Sequence, residues 1–156
     1  MTKLGLDAPP RNSGLRGRFG VDPRDLGDEL VRALGPYPLE VLFVIPLDEE
    51  SRVIECTLVA VGSPDHLQAS PRAIWERAIA VGAVRIVMIH THPAGGLLPS
   101  AADLAETERH IDVGRKIGLE LFDHLIVGPD GCRSLRETTT LFEPRAGCLR
   151  ASEPRF

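Results

Sequence analysis

The stretch Ile86-Val-Met-Ile-His-Thr-His-Pro-Ala-Gly-Gly-Leu-Leu-Pro-Ser-Ala-Ala-Asp103 decides the fold, because it joins a buried strand to a helix through one short loop. Its first residues form a continuous apolar run, which predicts a strand that is buried on both faces. Pro93 ends that strand because proline has no backbone N–H to donate to the sheet. The glycines and Pro99 that follow predict a loop. Ser100 is a typical N-cap for the helix that continues beyond Asp103.

Two histidines and one carboxylate in this stretch have the spacing of a metal site. His90 and His92 lie two residues apart at the strand end, so both side chains project from the same face. Two imidazoles and one carboxylate, Asp103, are ligands of a catalytic zinc, which keeps its fourth position open for water. These residues also have an ordinary structural explanation. Ser100 is a common helix cap, and the helix dipole favours an acidic residue such as Asp103 in the first turn without any metal. The combination favours the metal site.

The sequence around this stretch resembles the JAMM family of metalloenzymes, also called the JAB/MPN family. The resemblance rests on His90-Thr-His92-Pro93, followed after six residues by Ser100-Ala-Ala-Asp103. Within that family the chain is most similar to the bacterial RadC-like branch, because three further segments match: Ser70-Pro-Arg-Ala-Ile-Trp75, Leu121-Phe-Asp-His-Leu-Ile-Val-Gly128 and Ser134-Leu-Arg-Glu137. The likeness covers about residues 37 to 137. Thr91 and Ala94 depart from the branch, where Asn and Ser are usual, but both lie outside the ligand set.

The resemblance implies a single JAMM/MPN-type α/β domain with a central mixed β-sheet flanked by helices. The alternation of predicted helices and strands points to the same fold class. The resemblance also implies Zn²⁺ as the cofactor, held by the two histidines and Asp103. We expect residues 21–141 to form this domain. Residues 1–20 are rich in Gly, Pro, Arg and Ser, which predicts a flexible leader, and residues 142–156 have the composition of a loose tail.

The resemblance further implies which side chains carry the reaction. In JAMM peptidases a glutamate of the first core strand moves the proton, and Glu40 occupies the matching place in Glu40-Val-Leu-Phe-Val44. Two alternatives are that Glu40 is an exposed residue at the start of its strand, and that Glu55 is the base. The Ser100 hydroxyl would donate to the oxyanion of a tetrahedral intermediate if it turned from the cap toward the cleft. Glu40 and Ser100 are therefore the candidate catalytic residues.

Two classes of function compete. The first is a zinc metallohydrolase, a metallopeptidase or isopeptidase that cleaves an amide bond in a peptide or protein with a zinc-activated water. The second is a non-catalytic or DNA-repair-associated accessory module, since RadC-like proteins have been labelled DNA repair factors. The complete ligand set favours the enzyme. A net charge of −4 does not favour nucleic acid as a partner, because such surfaces need clustered Lys and Arg.

The composition is ordinary for a globular chain, with 43% hydrophobic and 26% charged residues. No apolar run approaches the ~20 residues that span a bilayer, and the N-terminus lacks the apolar core of a secretory signal. We therefore expect no membrane partner and a cytoplasmic location. The three cysteines lie far apart and are interpreted as small buried hydrophobes rather than as disulfide or zinc ligands. The substrate and the oligomeric state stay open.

Hydrophobic periodicity gives expectations for two helices near the site. Trp75 is expected in the core rather than as a ligand platform, because it has helical spacing with other apolar residues: Ile74, Ala78 and Ile79. The helix that begins at Ser100 is expected to bury the stripe Leu104, Ala105, Ile111 and Ile117. His110 lies among charged residues of that helix, so we expect it to be solvated.

The last strands also carry polar residues. Asp123 and His124 are neighbours on a predicted strand, so their side chains face opposite sides and only one of them can point toward the metal. We expect His124 to have a supporting or structural role. A final short strand is predicted over Cys132–Glu137.

The charge distribution generates a prediction about DNA. The purified protein should bind duplex DNA weakly, with a Kd no tighter than about 10⁻⁶ M at physiological salt and a steep loss of affinity as salt rises. Fluorescence anisotropy with matched linear, forked and single-stranded oligonucleotides measures this. Tight binding at physiological salt with a preference for one DNA structure would contradict the prediction and favour the accessory module.

Overall fold

The structure is a computed structural model that describes residues 23–36, 38–62 and 69–144. These residues form four helices and five strands, in the order α1 (Pro23–Leu34), β1 (Val41–Leu47), β2 (Thr57–Val61), α2 (Pro71–Ala80), β3 (Arg85–Thr91), α3 (Ala101–Ile117), β4 (Glu120–Gly128), β5 (Gly131–Ser134) and α4 (Leu135–Thr138). The predicted leader, residues 1–20, and most of the predicted tail, residues 142–156, lie outside the described residues.

The five strands form one mixed sheet in the order β2-β1-β3-β4-β5. β1 pairs antiparallel with β2 and with β3, and β4 pairs antiparallel with β5. β3 and β4 are parallel, and α3 supplies the crossover that a parallel pair needs. The prediction of an α/β domain with a central mixed sheet flanked by helices is confirmed.

Helices cover both faces of the sheet, which explains why β1 and β3 are continuous apolar runs. Alternate residues of each strand enter different cores, as the period of two requires. Odd-numbered residues such as Val87 and Ile89 pack with α1, and even-numbered residues such as Ile86 and Met88 pack with α2 and α3. Each fully buried aliphatic side chain contributes about 1.5–3 kcal/mol relative to exposure. The alternation places His90 on the α3 side of the sheet.

The buried stripe of α3 differs from the one that hydropathy predicts. Ala105 is exposed and Ile117 is 43% exposed, whereas the residues that α3 buries are Asp103, Thr107, His110, Ile111 and Gly114. Hydrogen bonds link two of these buried polar residues to other elements, Thr107 to His124 of β4 and His110 to Trp75 of α2, and a hydropathy pattern does not detect such bonds.

The expectation that His110 is solvated is wrong. Its side chain is fully buried, and its Nδ1 accepts a hydrogen bond of 3.1 Å from Trp75 Nε1. Because indole only donates, Nε2 carries the proton and donates to Glu106 Oε1 at 2.9 Å. Burial lowers the pKa of His110, so the ring is neutral at neutral pH. A Cβ at Gly114 would lie 2.8 Å from the Trp75 ring, so glycine permits the close approach of α2 to α3.

The remaining helix and strand predictions hold in part. Trp75 lies in the core as predicted, but Ile79 is 58% exposed, because α2 turns that side away from the sheet. The predicted last strand is shorter, since β5 ends at Ser134, whose hydroxyl caps α4. Cys56 and Cys132 are partly buried and pack against the core on the α1 side of the sheet, and Cys148 lies outside the described residues. Among the described residues no helix is both long and apolar enough to cross a membrane.

Candidate metal centre

Three side chains with metal-ligating atoms converge where β3 ends and α3 begins. His90 lies on β3, His92 follows the last strand residue, and Asp103 lies in the first turn of α3. One ligand atom from each of these residues lies within 4.8 Å of the other two. His90 Nδ1 is 3.0 Å from Asp103 Oδ1, and His92 Nε2 is 3.6 Å from Asp103 Oδ2. The structure thus brings together the three residues that the sequence predicts as ligands.

The spacing and chemistry of these atoms fit a small tetrahedral metal ion. Ligand atoms around such an ion, at about 2.0–2.2 Å from it, stand about 3.3–3.6 Å apart. The candidate ligand atoms here all lie within 4.8 Å of one another, a distance that small side-chain adjustments can close. Two imidazoles and a carboxylate suit zinc and other first-row divalent ions. His90 Nε2 is buried and has no hydrogen-bond partner among the described residues, so its lone pair is available to a ligand. The residues present can therefore hold a metal.

The loop after β3 fixes the orientation of His92. His92 Nδ1 lies 3.0 Å from the Gly96 carbonyl oxygen, to which it donates, and this leaves Nε2 free to bind a metal. Gly95 and Gly96 have φ values of 81° and 88°, which favour glycine. Leu97 packs closely against the β4–β5 turn, as shown by the 3.3 Å that would separate Leu97 Cδ2 from a Cβ at Gly128. Nothing in the residue spacing indicated this role for Gly96.

Asp103 takes part in a capping box as well as in the cluster. Its backbone N–H donates to Ser100 Oγ at 3.1 Å, and the Ser100 backbone N–H donates back to Oδ2 at 2.7 Å. The Ser100 hydroxyl also donates to Oδ2, at 2.6 Å. In this structure the hydroxyl is therefore turned toward Asp103. The predicted role of Ser100 as an oxyanion donor requires that it leave this bond.

The hydrogen bonds around Asp103 set its charge. Burial by itself raises the pKa of the carboxyl, but hydrogen bonds from His90, His92 and Ser100 outweigh it and hold the pKa well below its usual range. The neighbouring Asp103 carboxylate, 3.6 Å from Nε2, in turn raises the pKa of His92. Asp103 is thus a carboxylate at neutral pH, which is the form that ligates a cation.

Glu40 lies immediately before β1 and beside the cluster. Its Oε2 is 3.8 Å from His90 Nε2. The backbone on both sides of Glu40 is tied to Thr91, since the Thr91 hydroxyl accepts from Val41 N at 2.9 Å and donates to the Leu39 carbonyl at 3.0 Å. Thr91, the residue between the two histidines, therefore holds Glu40 next to them. In the sequence, Thr91 stands out only as a departure from the RadC-like branch.

Glu55, the alternative to Glu40, has other partners. Its carboxylate forms an ion pair with Arg77 of α2. It also accepts a hydrogen bond of 2.8 Å from the Thr57 hydroxyl. These contacts direct the Glu55 carboxylate toward α2 and the start of β2.

His124 lies in the sheet behind His90. The two rings stack with centroids 6.2 Å apart and planes inclined by 20°. His124 Nδ1 lies 2.7 Å from Thr107 Oγ1, and that hydroxyl lies 2.6 Å from the Asp103 carbonyl oxygen. Asp123 precedes His124 on β4 and faces the other side of the sheet, as expected for adjacent residues of a strand. It accepts a hydrogen bond from the Ser134 hydroxyl at 2.6 Å. Burial, followed by the proximity of His90, lowers the pKa of His124 to about 3.

Comparison with known proteins places the chain beside a family of bacterial proteins. Residues 21–140 match the family model of the RadC-like JAB domain. A UPF0758 protein of Finegoldia magna is 32% identical over 116 residues, which cover 74% of this chain and 52% of that protein. A UPF0758 protein of Cyanothece sp. is 38% identical over 104 residues, 67% of this chain and 43% of that protein. The chain thus spans about half the length of the curated relatives it matches.

The burial of His124 predicts how stability depends on pH. Its folded pKa of about 3 lies below the ordinary value of about 6.5, so as pH falls below 6.5 the unfolded chain takes up the proton first and stability decreases. His124→Asn cannot titrate, yet its amide can still donate to Thr107. Between pH 6.5 and pH 5 the wild-type protein should lose about 1.5 kcal/mol more unfolding free energy than this variant. Urea denaturation with a chelator present measures both, and identical pH dependence would contradict a buried neutral His124.

Proposed function

The chain belongs to the family of RadC-like JAB domains, and on that premise we propose that it is a zinc-dependent hydrolase that cleaves an amide bond, as a metallopeptidase or isopeptidase. One observation carries the proposal, namely that the two histidines and Asp103 converge while Glu40 lies beside them, 3.8 Å from His90. Three protein ligands leave a position open for water, and a carboxylate outside the ligand set can move protons. A purely structural site has no use for the open position or for the extra carboxylate.

The chain's own residues divide the work of such a reaction. Asp103 is ionised and, with His90 and His92, would hold the zinc. When bound, zinc supplies a water whose pKa is lowered to about 7. Glu40 takes the proton from the attacking water and returns it to the leaving amine. Thr91 keeps Glu40 in place by its two backbone hydrogen bonds.

The substrate side of the proposal rests on the family and on Ser100. A peptide or protein is the proposed substrate, since amide hydrolysis is the chemistry of the JAMM peptidases. The Ser100 hydroxyl now donates to Asp103 and would donate to the carbonyl oxygen of the substrate after a change of rotamer. If no hydrolysis occurs in the experiments below, the results favour an accessory role without catalysis.

Zinc content tests the ligand set. The wild-type protein, stripped of metal and reconstituted, should hold about one zinc per chain, because three ligands and a water complete one tetrahedral site. His92→Ala and Asp103→Ala should each lower bound zinc sharply. Asp112→Ala, on the same helix but away from the cluster, should retain it. Elemental analysis of the desalted proteins measures the content, and full occupancy in both ligand variants would contradict the assignment.

Substitution of Glu40 separates proton transfer from metal binding. Glu40→Gln should keep zinc and fold, because the amide is nearly isosteric and lies outside the ligand set. It should lose about 10²–10⁴-fold in hydrolytic rate, the usual contribution of a positioned general base. Glu49→Gln, an exposed glutamate in the turn after β1, is the matched control and should keep the wild-type rate.

The rates are measured by mass spectrometry on defined mixtures of peptides and isopeptide-linked conjugates, with zinc content determined on the same samples. A zinc-loaded Glu40→Gln protein that works at the wild-type rate would exclude Glu40 as the base, and Glu55→Gln would be tested next. If zinc-loaded wild-type protein cleaves none of these substrates, the hydrolase proposal is contradicted and the accessory role is favoured.

A further inference from the structure

The side chain of His124 has no task in the reaction proposed above, yet it is one of the most completely buried polar groups that the structure describes, with 1% of its surface exposed. It lies on β4, one strand away from His90. Its Nε2 is buried without a hydrogen-bond partner in the part of the chain that the structure describes. A buried nitrogen without a partner lowers stability, so an apolar residue would serve better if packing were the purpose. The role of the ring must therefore lie in its other nitrogen.

The direction of the hydrogen bond at that nitrogen follows from the number of protons available. Thr107 has one hydroxyl proton, and the Asp103 carbonyl oxygen, 2.6 Å away, can only accept it. The hydroxyl oxygen therefore accepts from His124, whose Nδ1 carries the proton and donates across 2.7 Å. Donor, relay and acceptor are thus defined: His124 donates to Thr107, and Thr107 donates to Asp103.

The end of this chain of hydrogen bonds is the backbone of a candidate metal ligand. Thr107 lies four residues after Asp103, on the same buried face of α3. The link therefore ties the first turn of the helix to β4. Met88, two residues before His90 on β3, is the register partner of His124 on β4. His90 lies on β3, and the link through Thr107 holds Asp103 to β4. One pair of parallel strands therefore positions both residues.

We propose that His124 and Thr107 are positioning residues that fix Asp103 at the distance from His90 and His92 that a metal requires. The inference rests on the metal site of the proposed function but not on hydrolysis. It assigns a physical role to a histidine and a threonine that touch neither metal nor substrate. Loss of the link lets the first turn of α3 shift relative to β3, and the ligand set is then less well preorganised. Substitutions of groups that orient metal ligands typically weaken binding by 10- to 100-fold.

Five variants of the full chain test the proposal. Thr107→Val removes the hydroxyl at almost constant shape, and His124→Leu removes the donor. Thr107→Ser retains the hydroxyl, and His124→Asn retains an N–H donor. The matched control is His110→Asn, because His110 is also a fully buried histidine of this region but bonds to Trp75 and Glu106 rather than to the Asp103 turn.

Zinc affinity is measured by competition with a fluorescent chelator, alongside the visible absorption of the Co²⁺-loaded proteins and the melting temperature of the metal-free proteins. Thr107→Val and His124→Leu should bind zinc about 10- to 100-fold more weakly than wild type and alter the Co²⁺ spectrum. Thr107→Ser and His124→Asn should return to within about threefold of wild type. His110→Asn should lower the melting temperature and leave zinc affinity unchanged. A residue that only stabilises the fold would behave like this control.

Several outcomes overturn the inference. Equal zinc affinity in Thr107→Val and wild type overturns it alone, whatever the stability of the variant. A zinc affinity in His110→Asn that falls as far as in Thr107→Val shows that general loosening of α3 is the cause, and the specific link is then rejected. No zinc binding by the wild-type protein rejects the proposed function together with the inference. If His124→Leu does not fold, the Thr107 pair decides.

Discussion

The carboxylate of Asp103 is the group on which the arrangement of the site depends. One of its oxygens accepts from the backbone and the hydroxyl of Ser100, and the other contacts His90 across 3.0 Å. The same side chain thus begins α3 and closes the histidine cluster, so the helix start and the ligand geometry cannot change independently. A buried carboxylate is costly unless donors surround it. Here those donors come from the cap and from the imidazoles.

The sheet converts this local arrangement into a fixed site. β3 lies in the middle of the sheet with both faces covered, so the strand that presents the histidines has little freedom to move. Thr91 uses the opposite face of the same strand to hold the start of β1, and this brings Glu40 to the cluster. Neighbouring residues of one strand therefore serve different purposes on its two faces. His90 and His92 present the candidate ligand atoms, and Thr91 aligns β1.

The sequence predicted the parts of the site that depend on short-range rules. The period of two placed His90 and His92 on one face, and the cap preference of Ser100 placed Asp103 at the helix start. It did not predict the buried face of α3, because burial there follows from partners far away in the chain, such as Trp75 for His110. Hydropathy put Ile117 inside and His110 outside, and both expectations were reversed. The place of Glu40 came from family resemblance, since its proximity depends on a pairing of β1 with β3 that residue spacing does not encode.

The three candidate ligands lie within the single segment from His90 to Asp103, whereas Glu40 arrives from fifty residues earlier in the chain. Closing a short loop costs less conformational entropy than bringing distant segments together, so the three candidate ligands are brought together almost independently of the rest of the chain. The candidate ligands can therefore be inherited separately from Glu40, the proposed base. Under the proposed function, one substitution at position 40 during divergence of such a family would leave a descendant with the same architecture and the same ion but no turnover. If the proposed function holds, a relative that keeps the three candidate ligands retains the means to bind an ion, and the residue at position 40 is the evidence to seek for catalysis.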